Sequence, residues 1–359
     1  MEHRAQHPVR ARESAAAARQ SGERLTSGRN AGRAAGLAAA LAALALVALL
    51  SVSIGTRSIP LDQVWSLVWD NDGSQNALVV HDLRIPRTLL GLLAGAALGA
   101  AGALMQGLTR NPLADPGLLG VNAGAAFAVV AGLAWFGVGD GAERVWFAFL
   151  GAALAAALVY GIGARGRAAA SPVRLALAGT AVTFALLAAV QGIALGDPQT
   201  FSQYRFWAVG SLAGRDAAIV EQVAPFIVAG LLLALLLARP LNALALGDEL
   251  GRALGSRPGR TRAAGALAVT LLCGAATAAA GPIVFVGLSV PHIARAIAGP
   301  DNRWVLPYSV VLGPILLLAA DTLGRVVSRP AEVQVGIVTA FLGGPVFIAL
   351  VRRGRVARL

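Results

Sequence analysis

The chain of 359 residues contains no lysine; all 30 of its basic residues are arginine. That excludes a phosphate-cradling P-loop lysine and any Schiff-base lysine, so the polypeptide is not itself a Walker-type ATPase. A single cysteine, Cys273, sits in an apolar run, which rules out an internal disulfide and reads as a small core residue. The four histidines, His3, His7, His81 and His292, are too scattered to have metal-ligand spacing, and no metal site is expected. Charge is scarce too: 13% of residues are charged, about half the share usual in a soluble protein. Asp115, Asp321 and Glu332 fall at the ends of apolar runs, and no acidic residue falls in the middle of one. Ion-coupled carriers commonly keep ionisable groups near the bilayer midplane, so this absence counts against them. No nucleophile and base are paired in the runs, so no catalytic residue is expected.

What the sequence has is apolar length. Hydrophobic residues make up 57% of it, with a mean hydropathy of +0.68. Runs near the roughly 20 residues needed to cross a bilayer recur along it, and only helices satisfy their own backbone there. The expectation is an all-α integral membrane protein with ten spans: 36–54, 85–108, a third ending near 136, 144–162, 175–195, 219–238, 263–280, a broken eighth over 281–299, 305–320 and 335–351. The eighth is broken because it carries Pro282, Pro291 and three glycines. Residues 1–34, rich in Ala, Arg, Ser and Gly, read as a disordered cytosolic tail, and 35–359 as one membrane domain. The net charge of +12 follows from topology rather than from nucleic acid binding: 22 of the 30 arginines fall on the side of the termini, which places both termini in the cytoplasm.

Smaller features fill in this outline. Gly91, Gly95, Gly99, Ala103 and Gly107 repeat every four residues and make a small-residue stripe that lets another helix come close. Trp65 and Trp69 mark a short interfacial helix, and a partial helix is expected within 196–216, around Tyr204, Phe206 and Trp207. The stretch 241–256 interrupts two apolar segments on the cytoplasmic side. Leu246, Leu250 and Leu254 share one helical face, with Asp248, Glu249 and Arg252 beside them. Gly247 supplies a break, Asp248 an N-cap, and Gly255 with Pro258 a stop. A helix so short needs a surface to rest on, either the membrane interface or a partner protein.

Three motifs in the first half, Arg84-Ile-Pro-Arg87, Gly102-Ala-Leu-Met-Gln106 and Asn111-Pro-Leu-Ala-Asp-Pro-Gly-Leu-Leu-Gly120, resemble the signature of the iron-siderophore and vitamin B12 permease family of ABC importers. In the second half 241–255, Gly281-Pro-Ile-Val-Phe-Val-Gly287, Pro291-His292, Arg295, Gly299, 321–325 and 336–347 agree with it, so the resemblance covers nearly the whole chain after the tail. It implies a ten-helix permease of the type II importer kind, like the vitamin B12 importer permease, in a bacterial cytoplasmic membrane. The implied partners are a second permease subunit in a homodimer or heterodimer, a cytoplasmic ABC ATPase, an extracytoplasmic substrate-binding protein and membrane lipid, with no nucleic acid. ATP and Mg belong to the ATPase, and no cofactor or metal is expected on this chain.

The resemblance also assigns residues. Leu246, Asp248, Glu249, Leu250, Arg252 and Leu254 match the coupling helices that insert into the ATPase. Arg84, Arg87 and Arg325 match outer-face arginines that pair with glutamates of the binding protein, a role suited to a rigid charged fork; helix-end arginines otherwise anchor by snorkelling. Asn111 and Leu113 match a cytoplasmic gate, where an Asn-Pro turn closing the helix is the plainer role. A second gate falls at Ser171, although the neighbouring Pro172 departs from the family pattern. Thr180, Thr183 and Thr339 are candidate pathway walls, or threonines bonding back to their own helices. His292 suits helix capping better than metal binding. Gln334 stands where the family usually has proline, which bears on how the tenth helix begins. The implied cargo is a ferric siderophore, with heme or cobalamin as alternatives; an ion-coupled secondary transporter and a membrane enzyme are the rival functions.

Overall fold

Runs of alanine, leucine and valine punctuated by small residues fold as helices, and every regular element among the described residues is helical. The computed structural model describes residues 7–139, 141–163, 172–253 and 255–352, with side chains described from residue 29 onward except at 172, 346 and 349–351. Helix α1 spans His7–Ser53, followed by α2 Leu61–Trp69 and α3 Gln75–Leu78. One π-helical turn, Val79–Arg84, leads into α4 Ile85–Thr109, and a 3-10 turn, Pro116–Leu119, into α5 Val121–Phe136. Next come α6 Ala142–Gly163, α7 Pro172–Gly196, α8 Pro198–Ala208 and α9 Ala217–Leu236. Two short helices, α10 Ala238–Ala245 and α11 Asp248–Ala253, precede α12 Pro258–Ala280, α13 Val286–Ala298, α14 Asn302–Val327 and α15 Val335–Arg352.

Among the described residues, seven helical stretches are long and apolar enough to cross a membrane, and three shorter apolar helices, in α5, α13 and α15, bring the number to the ten expected. Two boundaries differ from expectation. Helix α1 begins at His7, so residues 7–34 are helical rather than irregular, and residues 1–6 lie outside the described residues. Low hydrophobicity signals disorder in a tail, but alanine and arginine are also among the best helix formers, and here that propensity extends α1. Helix α14 runs to Val327, which puts Asp321 inside the helix near its C-terminal end.

Helix α4 is the core, buried along most of its length and packed against α14, α12, α13 and α9. The small-residue stripe explains why. Gly95 and Gly99 lie against the backbone of Gly313, Pro314 and Ser309 in α14, while Gly91 faces Leu318 and Gly102 faces Gly287 of α13. A Cβ at Gly95 would fall 2.5 Å from the backbone nitrogen of Pro314, which has no rotamer with which to yield. Gly95→Ala should therefore destabilise the chain by about 1–3 kcal/mol, the usual range for overpacking. Thermal unfolding in detergent measures it; an unchanged Tm would show that α4 and α14 separate freely.

Helix α13 is short because residues 281–285 stay unwound, with Phe285 at a φ of +70°. His292 lies in mid-helix behind Pro291 and is buried, so it does not cap α13 as the sequence suggested. The residues that would face the two sides of a membrane gather at the opposite ends of this bundle.

Candidate functional site

At one end of the bundle, a helix with no basic residue in its last turn meets arginines supplied from elsewhere. The final carbonyls of α1 lack partners within the helix. Arg84 Nη1 donates to the carbonyls of Val52 at 3.1 Å and Ser53 at 2.8 Å, and its Nη2 to that of Arg57 at 2.6 Å. Arg325 Nη1 donates to the carbonyls of Ser51 at 2.8 Å and Ile54 at 2.7 Å, and Arg329 Nη2 to that of Gly55 at 2.9 Å. Gly55 is required at this point, because a Cβ there would lie 2.6 Å from Arg84 Nη2.

Arg87, in the first turn of α4, does something different. Its Nε and Nη2 form a fork on the fully buried Asp321, at 2.9 and 2.8 Å, and its Nη1 donates to Glu332 at 2.7 Å. Asp321 also pairs with Arg325 one helical turn on, at 3.0 Å. Arg84, Arg87, Arg325 and Glu332 line a cleft of about 210 Å³ at this end, together with Arg57 and Gly214.

This geometry corrects the expected docking role of the three arginines as free outer forks. Arg84, Arg87 and Arg325 are only 4%, 9% and 2% exposed, and their terminal Nη donors are engaged within the chain. A helix end and a buried carboxylate both compete for guanidinium in a dry setting, and here they win. The exposed cation of the cleft is Arg57, which sequence reasoning missed; its signal is a position two residues beyond Gly55, in the loop that Arg84 grips. A second cavity, of about 620 Å³, lies between α8 and the starts of α6 and α9, lined by Gln203, Phe206, Trp207 and Gln334 among others.

At the opposite end, 241–256 folds as two helices rather than one, joined at Gly247 with a φ of +98°. Leu241 and Leu244 are buried against the bundle. Leu246 and Leu250 point away from it, 56% and 61% exposed, with Glu249 and Arg252 exposed around them. Leu254 lies outside the described residues. Asp248 is not the N-cap. Its carboxylate accepts a fork from Arg262 of α12 at 3.0 and 2.7 Å, and these hydrogen bonds hold it below the usual carboxylate range.

The other helix of this elbow is fastened as well. Asn242 of α10 donates to Asp301 at 2.6 Å and accepts from the backbone and side chain of Asn302, both at 2.9 Å, at the head of α14. Burial works against the charge on Asp301, but bonds from Arg303 and Asn242 outweigh it and bring its carboxyl to about 2. Both carboxylates are thus depressed relative to the unfolded chain, so these ties persist at neutral pH and are weakened only as the pH falls through their lowered values.

The remaining candidates divide. Asn111 forms the helix-closing turn, its Oδ1 accepting from the Leu113 amide at 2.9 Å, and leaves Leu113 exposed. Ser171 lies outside the described residues. Thr180 is exposed and donates back to the Ala176 carbonyl at 2.9 Å, while Thr183 is half-buried. Thr339 is corrected as a pathway wall: it is buried within its own chain and bonds the Gly336 carbonyl at 3.1 Å. A buried contact that sequence spacing did not reveal joins Gln106 of α4 to the Leu288 carbonyl and to Arg295 of α13.

Known proteins match this chain along most of its length. The family model described as the FecCD transport family matches residues 43–353. Ferric enterobactin transport system permease protein FepD of Escherichia coli (strain K12) is 50% identical over 311 residues, covering 86% of this chain and 92% of that protein. Iron(3+)-hydroxamate import system permease protein FhuB of Bacillus subtilis (strain 168) is 42% identical over 87% of this chain and 81% of its own length. Hemin transport system permease protein HmuU of Yersinia pestis is 37% identical over 88% and 94%. Among solved structures, one described as a metal-chelate type ABC transporter in an inward-facing conformation superposes with a TM-score of 0.75 at 27% identity, covering 88% of this chain and 98% of that one.

Proposed function

The chain belongs to the FecCD transport family, and from that premise we propose that it is the permease subunit of an ATP-driven importer. It takes a ferric siderophore from an extracytoplasmic substrate-binding protein across the cytoplasmic membrane, as a multi-pass subunit with both termini in the cytoplasm. The observation that carries the reading is the inner elbow. Two exposed leucines, ringed by Glu249 and Arg252, stand on a piece of chain fastened at one end to α14 and at the other to α12. An apolar patch with a charged rim is the makeup of a docking surface. Its partner is the cytoplasmic ATPase, which brings ATP and Mg.

Nucleotide-driven closure of the ATPase moves the elbow, and the two ties pass that movement to α12 and α14. Helix α14 packs backbone to backbone on α4, so displacement of its inner end repacks the core of the bundle. A second permease subunit completes the passage, with Asn111 and Leu113 at its cytoplasmic mouth and Thr180 and Thr183 along it. Outside, the arginine cleft receives acidic side chains of the binding protein, first through exposed Arg57. No bond is made or broken by this chain.

Reconstitution tests the reading. In proteoliposomes holding this chain with its ATPase and binding protein, radioiron should accumulate from a ferric siderophore only when ATP is supplied. Ferric catecholate, ferric hydroxamate and hemin serve as separate probes of cargo. Uptake driven by an ion gradient with the ATPase left out would overturn the assignment.

A further inference from the structure

The two carboxylates on Arg87 are held very differently. Asp321 is fully buried, forked by Arg87 and paired again by Arg325. Glu332 keeps 29% of its side chain exposed and is held by Arg87 Nη1 at 2.7 Å. It belongs to the connection between α14 and α15 and faces the same cleft as Arg57 and Arg84. With Nε and Nη2 committed to Asp321, Nη1 is the edge of Arg87 turned to the cleft, and Glu332 already lies on it.

We propose that Glu332 is an internal stand-in for the docking partner's carboxylate: it occupies Arg87 while the cleft is empty and yields that place to a glutamate or aspartate of the binding protein. The inference rests on the proposed docking role of this cleft. Exchange rather than addition follows from charge, because a second carboxylate brought to the same guanidinium edge would meet Glu332 at close range in a narrow, poorly hydrated space. Replacing one carboxylate by another keeps the cluster's charge balance and leaves the Asp321 fork intact.

Exchange also has a mechanical consequence. Glu332 lies three residues before Val335, the first residue of α15, and the start of that helix is otherwise tethered by the Val333 amide on the Gly324 carbonyl and the Gly336 amide on the Gly210 carbonyl, both at 3.1 Å. Releasing Glu332 removes the one side-chain tie among these three, so docking outside is felt at the head of the last membrane helix.

The test titrates the purified binding protein onto the complete importer in lipid nanodiscs. Glu332→Gln keeps the shape but removes the competing charge, so it should tighten docking by about tenfold. Asp70→Asn, an exposed acid at the end of α2 outside the cleft, is the control for the general field and should change affinity less than about twofold, screened over distance. Arg57→Glu should weaken docking in a salt-sensitive way. Equal or weaker binding by the Glu332 variant, while Arg57→Glu still weakens it, overturns the stand-in and leaves the docking reading in place. Equal gains from Glu332→Gln and Asp70→Asn also overturn it, since the field alone then accounts for the gain. Unaltered affinity for Arg57→Glu removes the cleft as the docking surface, and the stand-in with it.

Discussion

Replacing Leu246 and Leu250 together by serine should abolish ATP-driven uptake while the chain still folds. The two side chains are more than half exposed, so the isolated subunit loses little packing without them. Leu241 and Leu244, which seat α10 on the bundle, are untouched, as are the Asn242 and Asp248 ties. What is lost is apolar surface for the ATPase. Burying a leucine contributes about 1.5–3 kcal/mol, so two correspond to a loss of roughly 10²–10⁴-fold in association. Affinity of the detergent-solubilised chain for its ATPase, measured beside transport, checks the result. If the leucines merely rest on lipid headgroups, ATPase assembly will be unchanged, and the elbow is an interfacial helix.

The second large effect concerns folding. Asp321→Ala leaves the guanidinium groups of Arg87 and Arg325 side by side without their shared buried carboxylate. Breaking a buried pair from one side costs about 3–5 kcal/mol, a large part of the roughly 5–15 kcal/mol that keeps an ordinary protein folded. Little correctly inserted protein should accumulate, and what does should melt far below the parent in detergent. Adding Arg87→Met should recover part of the loss, because it relieves the repulsion between two neighbouring guanidinium groups left with Glu332 as their remaining carboxylate. If the single variant melts like the parent, then the cluster is hydrated and the carboxylate is not needed for the fold. Reversing the charge of Arg84, Arg87 or Arg325 would disrupt folding in the same manner, which is why exposed Arg57 is the cleaner probe of docking.

Both experiments touch features that sequence reasoning placed but did not fully resolve. The four-residue repeat of Gly91, Gly95 and Gly99 announced a close helix contact, because helical spacing alone puts those residues on one face. That α14 would supply the other backbone, through Gly313 and Pro314, was not visible, since the two segments lie more than two hundred residues apart. The Arg-Ile-Pro-Arg motif drew attention to Arg84 and Arg87, yet placed them as outward forks. The carbonyls that hold Arg84 belong to residues 52, 53 and 57, and the carboxylates that hold Arg87 to residues 321 and 332. Asp248 shows the same competition at short range. Its position after Gly247 suits an N-cap, but Arg262 offers a charged fork fourteen residues later, and a charge-assisted pair outweighs a single amide.

By itself, the sequence determined the class of the protein, its ten apolar helices, the broken eighth helix and an elbow between α9 and α12. Each of these follows from composition or from a period along one segment, and the bilayer permits one backbone solution for such segments. Tertiary structure alone decided which charges are spent inside and which stay available. Whether an arginine is a docking fork or a helix cap depends on which unsatisfied carbonyl or carboxylate the fold brings within 3 Å of it, and that neighbour is set by packing rather than by spacing along the chain.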